Sequence, residues 1–292
     1  MSLIVSSLSK TYVNGVQALK NVSLEIPNGM FGLLGPNGAG KSSFMRTIAT
    51  LQEPDKGSIR LDGVDVIREK MEMRRKMGYL PQEFGVYPRV TAEEMLDHTA
   101  VLKGIGRSGE RKRLVRELLE KVNLIEFRKR TLASYSGGMK QRFGIAQALI
   151  GAPRLIIVDE PTAGLDPAER NRFYNLLAQV GQDTIVILST HIVDDVSALC
   201  TAFAILDNGE IVHTGSPDGA VREMEGRVFA KWASHEELAA VSAKHRVLYT
   251  QLRSGQLWIR ICSTGDPGDG FSSVAPVLED VYFNSLAGSG KR

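Results

Sequence analysis

The chain has little of what would pin its fold by covalent or membrane chemistry. Its 292 residues include only two cysteines, Cys200 and Cys262, each in apolar surroundings and without paired spacing, so the sequence predicts buried free thiols rather than a disulfide framework. No apolar run approaches the roughly twenty residues needed to cross a bilayer, and the N-terminus lacks a cleavable signal pattern. The expectation is a cytoplasmic chain that reaches a membrane only through another polypeptide. Charge of one sign is also scarce: the net charge of +3 is too mild to require a nucleic-acid partner, and none is expected. Two basic clusters, Arg107 to Arg116 and Arg128 to Arg130, are read as solvated helix faces with a minor capacity for anionic headgroups. Histidines His98, His213, His235 and His245 show no metal spacing with the cysteines or with one another.

What is present is an ordinary globular composition, 43% hydrophobic and 24% charged, long enough for one large core and a smaller one. Within it stands a phosphate-binding loop, Gly35-Pro36-Asn37-Gly38-Ala39-Gly40-Lys41-Ser42, between the apolar stretch Met30–Leu34 and a predicted helix from Lys41 to Leu51. Gly35, Gly38 and Gly40 allow backbone angles closed to other residues, so successive N–H groups can face phosphate oxygens. The following helix adds its unsatisfied N-terminal N–H groups. Lys41 can reach the β- and γ-phosphates, Ser42 can ligate Mg²⁺, and Ser43 can support the α-phosphate.

A second site element is the run Leu155-Ile156-Ile157-Val158, a predicted buried parallel strand that ends in Asp159 and Glu160. Beside a phosphate loop, Asp159 is suited to the Mg²⁺ shell, and Glu160 to orient and deprotonate an attacking water.

The third element, Tyr135-Ser136-Gly137-Gly138-Met139-Lys140-Gln141-Arg142, resembles the signature of ATP-binding-cassette (ABC) ATPases. The resemblance covers residues 3 to 215. Tyr12 matches the family's adenine-stacking aromatic and Gln82 its Q-loop, a metal-facing position. Pro161 to Asp166 matches its D-loop, and His191 the histidine that contacts the γ-phosphate. The family usually has Leu and Gln where this chain has Tyr135 and Met139, and a thioether cannot reproduce the hydrogen bonds by which that Gln would meet the ribose. The variant signature and the tail Pro276 to Phe283 resemble the branch that powers polytopic exporters of drugs and antibiotics.

The resemblance implies a P-loop α/β cassette: a parallel core sheet, an antiparallel β subdomain and a helical subdomain at about residues 91–150. The cassette is expected over residues 1–220, followed by a small α+β accessory domain over 221–292. The implied activity is ATP hydrolysis with Mg²⁺, coupled to transport through a separate transmembrane permease that contacts residues 83–90, where Phe84, Val86 and Tyr87 are apolar. The implied assembly is a homodimer sandwiching two ATP molecules, with Ser136, Gly137, Gly138 and Asp166 acting across the interface. A soluble cassette in DNA maintenance is the alternative, but its nucleotide motifs would be separated by a long coiled coil, and no sustained heptads lie between Lys41 and Asp159. A ribosome-binding factor would carry two fused cassettes, and only one is present.

Local patterns complete the reading. Leu3–Leu8, Val22–Ile26 and Ser58–Leu61 are predicted antiparallel strands, and Thr91 to Glu94 has capping-box spacing. Ala202–Leu206 should join the parallel sheet, then turn at Asp207-Asn208-Gly209 into a hairpin. Further strands are expected at 227–232, 247–252 and 257–261 around a helix at 235–242, and the terminal Gly288 to Lys291 is expected to be a flexible tail.

Overall fold

The structure, a computed structural model, describes residues 2–82, 85, 89–161 and 165–289. The expected permease-contact residues Phe84, Val86 and Tyr87 and the D-loop residues Thr162 to Gly164 lie outside the described residues.

Strand β1 (Ser2–Thr11) pairs antiparallel with β2 (Gln17–Pro27). Leu3 and Val5 point inward as alternation requires, yet Leu8 is also fully buried. The register shifts between Val5 and Leu8, where Ser7 takes φ 52°, and this bulge restores the inward phase. Strand β3 (Gly29–Leu34) leads through the phosphate loop into helix α1 (Lys41–Ile48). That helix is shorter than expected: Thr50 takes φ 60°, and Arg74 donates to both its hydroxyl at 2.9 Å and its carbonyl at 3.0 Å. Strands β4 (Lys56–Leu61) and β5 (Val64–Asp65) complete a sheet of order β2-β1-β4-β5.

Helix α2 (Lys70–Lys76) and strand β6 (Met77–Leu80) precede the helical region α3 (Ala92–Leu102), α4 (Ser108–Lys121) and α5 (Gly137–Ala148). Thr91 caps α3 as the sequence predicts, its hydroxyl accepting from Glu94 N–H while Glu94 reaches back to Thr91 N–H at 2.9 Å. The basic faces are salted with acids: Arg111 pairs with Asp97, Arg116 with Glu120 and Arg128 with Glu93.

The remaining core alternates strands and helices, as a parallel sheet requires: β7 (Leu155–Asp159), α6 (Pro167–Val180), β8 (Ile185–Thr190), α7 (Val193–Leu199) and β9 (Ala202–Asp207), with β10 (Glu210–Gly215) returning antiparallel. The sheet order is β10-β9-β3-β8-β7-β6. Its register places Leu34 beside Thr190, Asp159 beside Ser189 and Leu80 beside Val158. The carboxyl ends of β3, β6, β7 and β8 therefore share one edge, the usual place for a ligand in an open α/β sheet.

After α8 (Pro217–Arg222) come β11 (Val228–Ala233), α9 (His235–Lys244), β12 (Arg246–Arg253), β13 (Gln256–Cys262) and β14 (Ser272–Ser273), a small antiparallel sheet with α9 on one face. Helix α10 (Leu278–Ser289) then returns: Leu278, Val281 and Tyr282 join Val196, Phe203 and Ala220 in the same hydrophobic cluster. Position 220 itself falls within α8. Two expectations are corrected here. Gly288 and Ser289 are helical rather than part of a flexible tail. Cys262 is half-buried at a strand end rather than buried, while Cys200 is buried and its thiol pKa is pushed up by burial to about 12. Among the described residues, no helix is long and apolar enough to cross a membrane.

Candidate nucleotide site

The phosphate loop is held from behind by close backbone packing. A Cβ on Gly35 would lie 2.3 Å from Leu206 O in β9, so this position needs glycine for space; it is absent from the positive-φ glycines, contrary to the angular reason expected from sequence. Gly40 needs glycine on both counts, with φ 109° and a would-be Cβ 2.3 Å from Ala18 O. Gly38, at φ 82°, meets nothing within 4 Å and faces open space. The Asn208-Gly209 turn of the β9–β10 hairpin also braces the loop, since Gly209 N–H donates to Ala39 O at 2.9 Å. No side chain caps α1. Its first N–H groups are thus left for a ligand.

Lys41 is buried, and its Nζ donates to Gly35 O at 2.6 Å and Pro36 O at 3.1 Å. Burial lowers its pKa, opposed by the charges of Glu160 and Asp159. Asp159 ends β7 in a buried position, and burial raises its carboxyl pKa above the usual range. The next residue bends sharply: Glu160 takes φ 46°, with its N–H donating to Ser189 O at 2.9 Å. A left-handed non-glycine residue marks a position where the surrounding structure imposes the backbone. The Glu160 carboxylate receives three neighbours: Gln82 Nε2 donates to Oε2 at 3.2 Å, His191 Nδ1 lies 3.4 Å from Oε1, and Lys41 Nζ lies 4.0 Å from Oε1.

Lys41, Gln82, Glu160 and His191 line a cleft of about 610 Å³, a size that suits a nucleotide. Pro36, Asn37, Ser42 and Ser43 line it from the loop, and Tyr12 from the β1–β2 turn. The Tyr12 hydroxyl is 2.9 Å from Ser43 Oγ and donates to Gln52 Oε1 at 3.0 Å. Gln52 and Gly209 are contributors that motif reading missed. The Asn-Gly turn pattern marks Gly209 as a turn residue, but no pattern announces either one as part of the site, because each acts there through a contact made only after folding.

Ser136, Gly137, Gly138 and Asp166 line no part of this cleft. Ser136 caps α5, accepting from Met139 N–H at 3.2 Å, and Gly137 has nothing near its would-be Cβ. A Cβ on Gly138 would lie 2.6 Å from Glu169 Oε2, so the Glu169 side chain would have to shift to admit one. The unusual Tyr135 is buried, with its hydroxyl donating to Phe127 O at 3.0 Å and its ring edge-on to Phe143. Met139 packs against the main core. Asp166 caps α6 through Glu169 N–H at 2.8 Å.

A glycine-rich loop at a helix start, a buried strand-end carboxylate and a second carboxylate met by lysine, glutamine and histidine define a P-loop nucleoside-triphosphatase site. The comparisons narrow the class. Residues 19–163 match the ABC transporter family. The ABC transporter ATP-binding protein NatA of Bacillus subtilis is 38% identical over 69% of this chain and 82% of its own length. The daunorubicin/doxorubicin resistance ATP-binding protein DrrA of Streptomyces peucetius is 35% identical over 90% of this chain and 77% of its own. Among solved structures, an ATP-binding subunit of an ABC transporter superposes with a TM-score of 0.70 at 31% identity, covering 84% of this chain and 100% of that one. A dimeric ATP-binding cassette in a post-hydrolysis state with ADP and Pi superposes at 0.68 with 28% identity, over 73% and 98%. The chain belongs to the family of ABC transporter ATP-binding proteins, and it is an ATPase.

Proposed function

We propose that this chain is the ATP-hydrolysing subunit of an exporter, working as a dimer on the cytoplasmic face of a membrane through a separate permease. The observation that carries the hydrolytic part is the convergence of Lys41, Gln82 and His191 on the Glu160 carboxylate at the edge of a nucleotide-sized cleft. Tyr12 meets the adenine, the loop N–H groups and Lys41 hold the β- and γ-phosphates, and Ser43 supports the α-phosphate. Glu160 accepts a proton from water as the water oxygen bonds to the γ-phosphorus. The bond to the bridging oxygen breaks, its electron pair leaving with ADP. His191 contacts the departing phosphate.

Mg²⁺ fits the donor set: Asp159 offers a buried carboxylate, and Ser42 and Gln82 offer neutral oxygens at the cleft. When bound, the cation would neutralise charge on the β- and γ-oxygens.

The dimer rests on placement. Ser136 and Gly137 present an open helix start away from the chain's own cleft, available to the γ-phosphate held by a second copy, with Asp166 at the same interface. Export rests on the kinship with DrrA and with the linearmycin resistance ATP-binding protein LnrL of Bacillus subtilis, the latter 38% identical over 68% of this chain. Residues 1–220 serve as the catalytic unit and 221–292 as an accessory unit whose last helix leans on it. Tagged protein recovered from gently solubilised membranes should bring down a polytopic protein identifiable by mass spectrometry. Recovery of ribosomes or DNA-repair proteins with no membrane protein would contradict the reading.

A further inference from the structure

A buried carboxylate outside the motifs lies four residues beyond His191. Asp195, on α7, is fully buried, and its carboxylate partners come from two other elements, α6 and β8. Arg170 Nη2 and the Tyr174 hydroxyl, both from α6, donate to Oδ1. Thr190 Oγ1, at the end of β8, donates to Oδ2 at 3.3 Å. The same Thr190 oxygen accepts from Ile192 N–H at 3.0 Å, and Asp195 N–H donates to Ile192 O at 3.2 Å. His191 is therefore bracketed: the residues on either side of it are tied to one another and to Asp195. Arg170 is a single turn beyond Asp166, its N–H donating to Asp166 O at 2.9 Å, so the cluster also holds the first turn of α6.

A charge at this depth is costly unless it fixes something that needs fixing, because desolvation offsets much of the attraction to its partner. The side chain of His191 is about half exposed, at 49%, and its ring has little packing of its own to orient it. Its backbone must supply the aim. We propose that Asp195 is a positioning residue for His191, holding the β8–α7 turn so that the imidazole stays against Glu160, with Arg170 and Tyr174 as the groups that keep the Asp195 carboxyl in place. This rests on the reading of His191 as a contributor to hydrolysis, and the two are separable by experiment.

The test is Asp195→Asn, which keeps the shape and weakens the hold on Arg170 and Tyr174. The chain has five histidines, so selective isotope labelling gives few imidazole signals, and that of His191 is the one missing in His191→Gln. In Asp195→Asn the His191 signal should move while that of the remote His98 stays. Turnover should fall by on the order of 10²-fold, the effect of a misplaced group of about 1 Å, with KM for ATP within about two-fold of the parent. Added to His191→Gln, the same change should lower turnover no further. If Asp195→Asn does not fold, Tyr174→Phe removes one hydrogen bond to Asp195 and should move the His191 signal less but in the same direction. An unmoved His191 signal in either folded variant overturns the proposal. A moved signal, with full turnover in His191→Gln, upholds the positioning and overturns the hydrolytic role of His191.

Discussion

Lys41 Nζ stands 4.0 Å from the Glu160 carboxylate while donating to the carbonyls of Gly35 and Pro36, so the loop lysine is folded back onto its own loop and toward the acid. Triphosphate binding must exchange these carbonyls for phosphate oxygens. Charge-assisted bonds of this kind contribute about 1.5–3 kcal/mol, so Lys41→Ala should weaken ATP binding by roughly 10- to 100-fold, measured by titration with a fluorescent nucleotide. Unchanged affinity would mean that Lys41 never leaves its loop carbonyls.

Asp159 supplies a pH test. Burial raises its folded-state pKa above the ordinary 3.8, so the folded protein holds the proton more tightly than the unfolded chain. Below the unfolded value this group imposes no penalty; as pH rises through the raised folded value, the buried carboxylate charges and stability is lost. In the nucleotide-free protein, Asp159→Asn should raise the melting temperature near pH 7, with the gain shrinking toward about pH 4. A gain that grew on acidification would reverse the sign and contradict the assignment.

Helix α10 depends on a buried pair. Asp280 is fully buried and receives Arg260 Nε at 2.8 Å, Arg260 Nη2 at 2.6 Å and Val277 N–H at 2.8 Å. Asp280→Ala leaves Arg260 without its carboxylate and should destabilise the protein by about 3–5 kcal/mol. Denaturant unfolding measures the loss. Replacing Arg260 and Asp280 together by Met and Leu should recover most of it.

How much of this was legible in the sequence follows the range of the interactions. The phosphate loop, the Asp159-Glu160 strand end and the Thr91 capping box are local, since each motif carries its partners within a few residues. The buried strands of the parallel sheet were legible because both faces are covered and the apolar runs are continuous. The bulge at Ser7 was not, because it is visible only through the register with β2 and β4. The end of α1 escaped for a similar reason, since Arg74 lies 24 residues from the Thr50 it holds. Nor was the bracing of Ala39 by Gly209, or the hold of Arg170 and Tyr174 on the buried Asp195, which are contacts between chain segments far apart in sequence. Tyr135 shows the limit of motif comparison: a departure from the family pattern there is an anchored core residue whose hydroxyl is spent on Phe127 O.

The central claim is that Glu160 is the general base, and steady-state ATP hydrolysis by Glu160→Gln tests it most directly. The amide keeps the size of the side chain but cannot take the water's proton. Turnover should fall by roughly 10²- to 10⁴-fold, while ATP still binds and light scattering shows an ATP-dependent dimer that no longer resolves. Turnover within about two-fold of the parent, under saturating MgATP, would contradict the account.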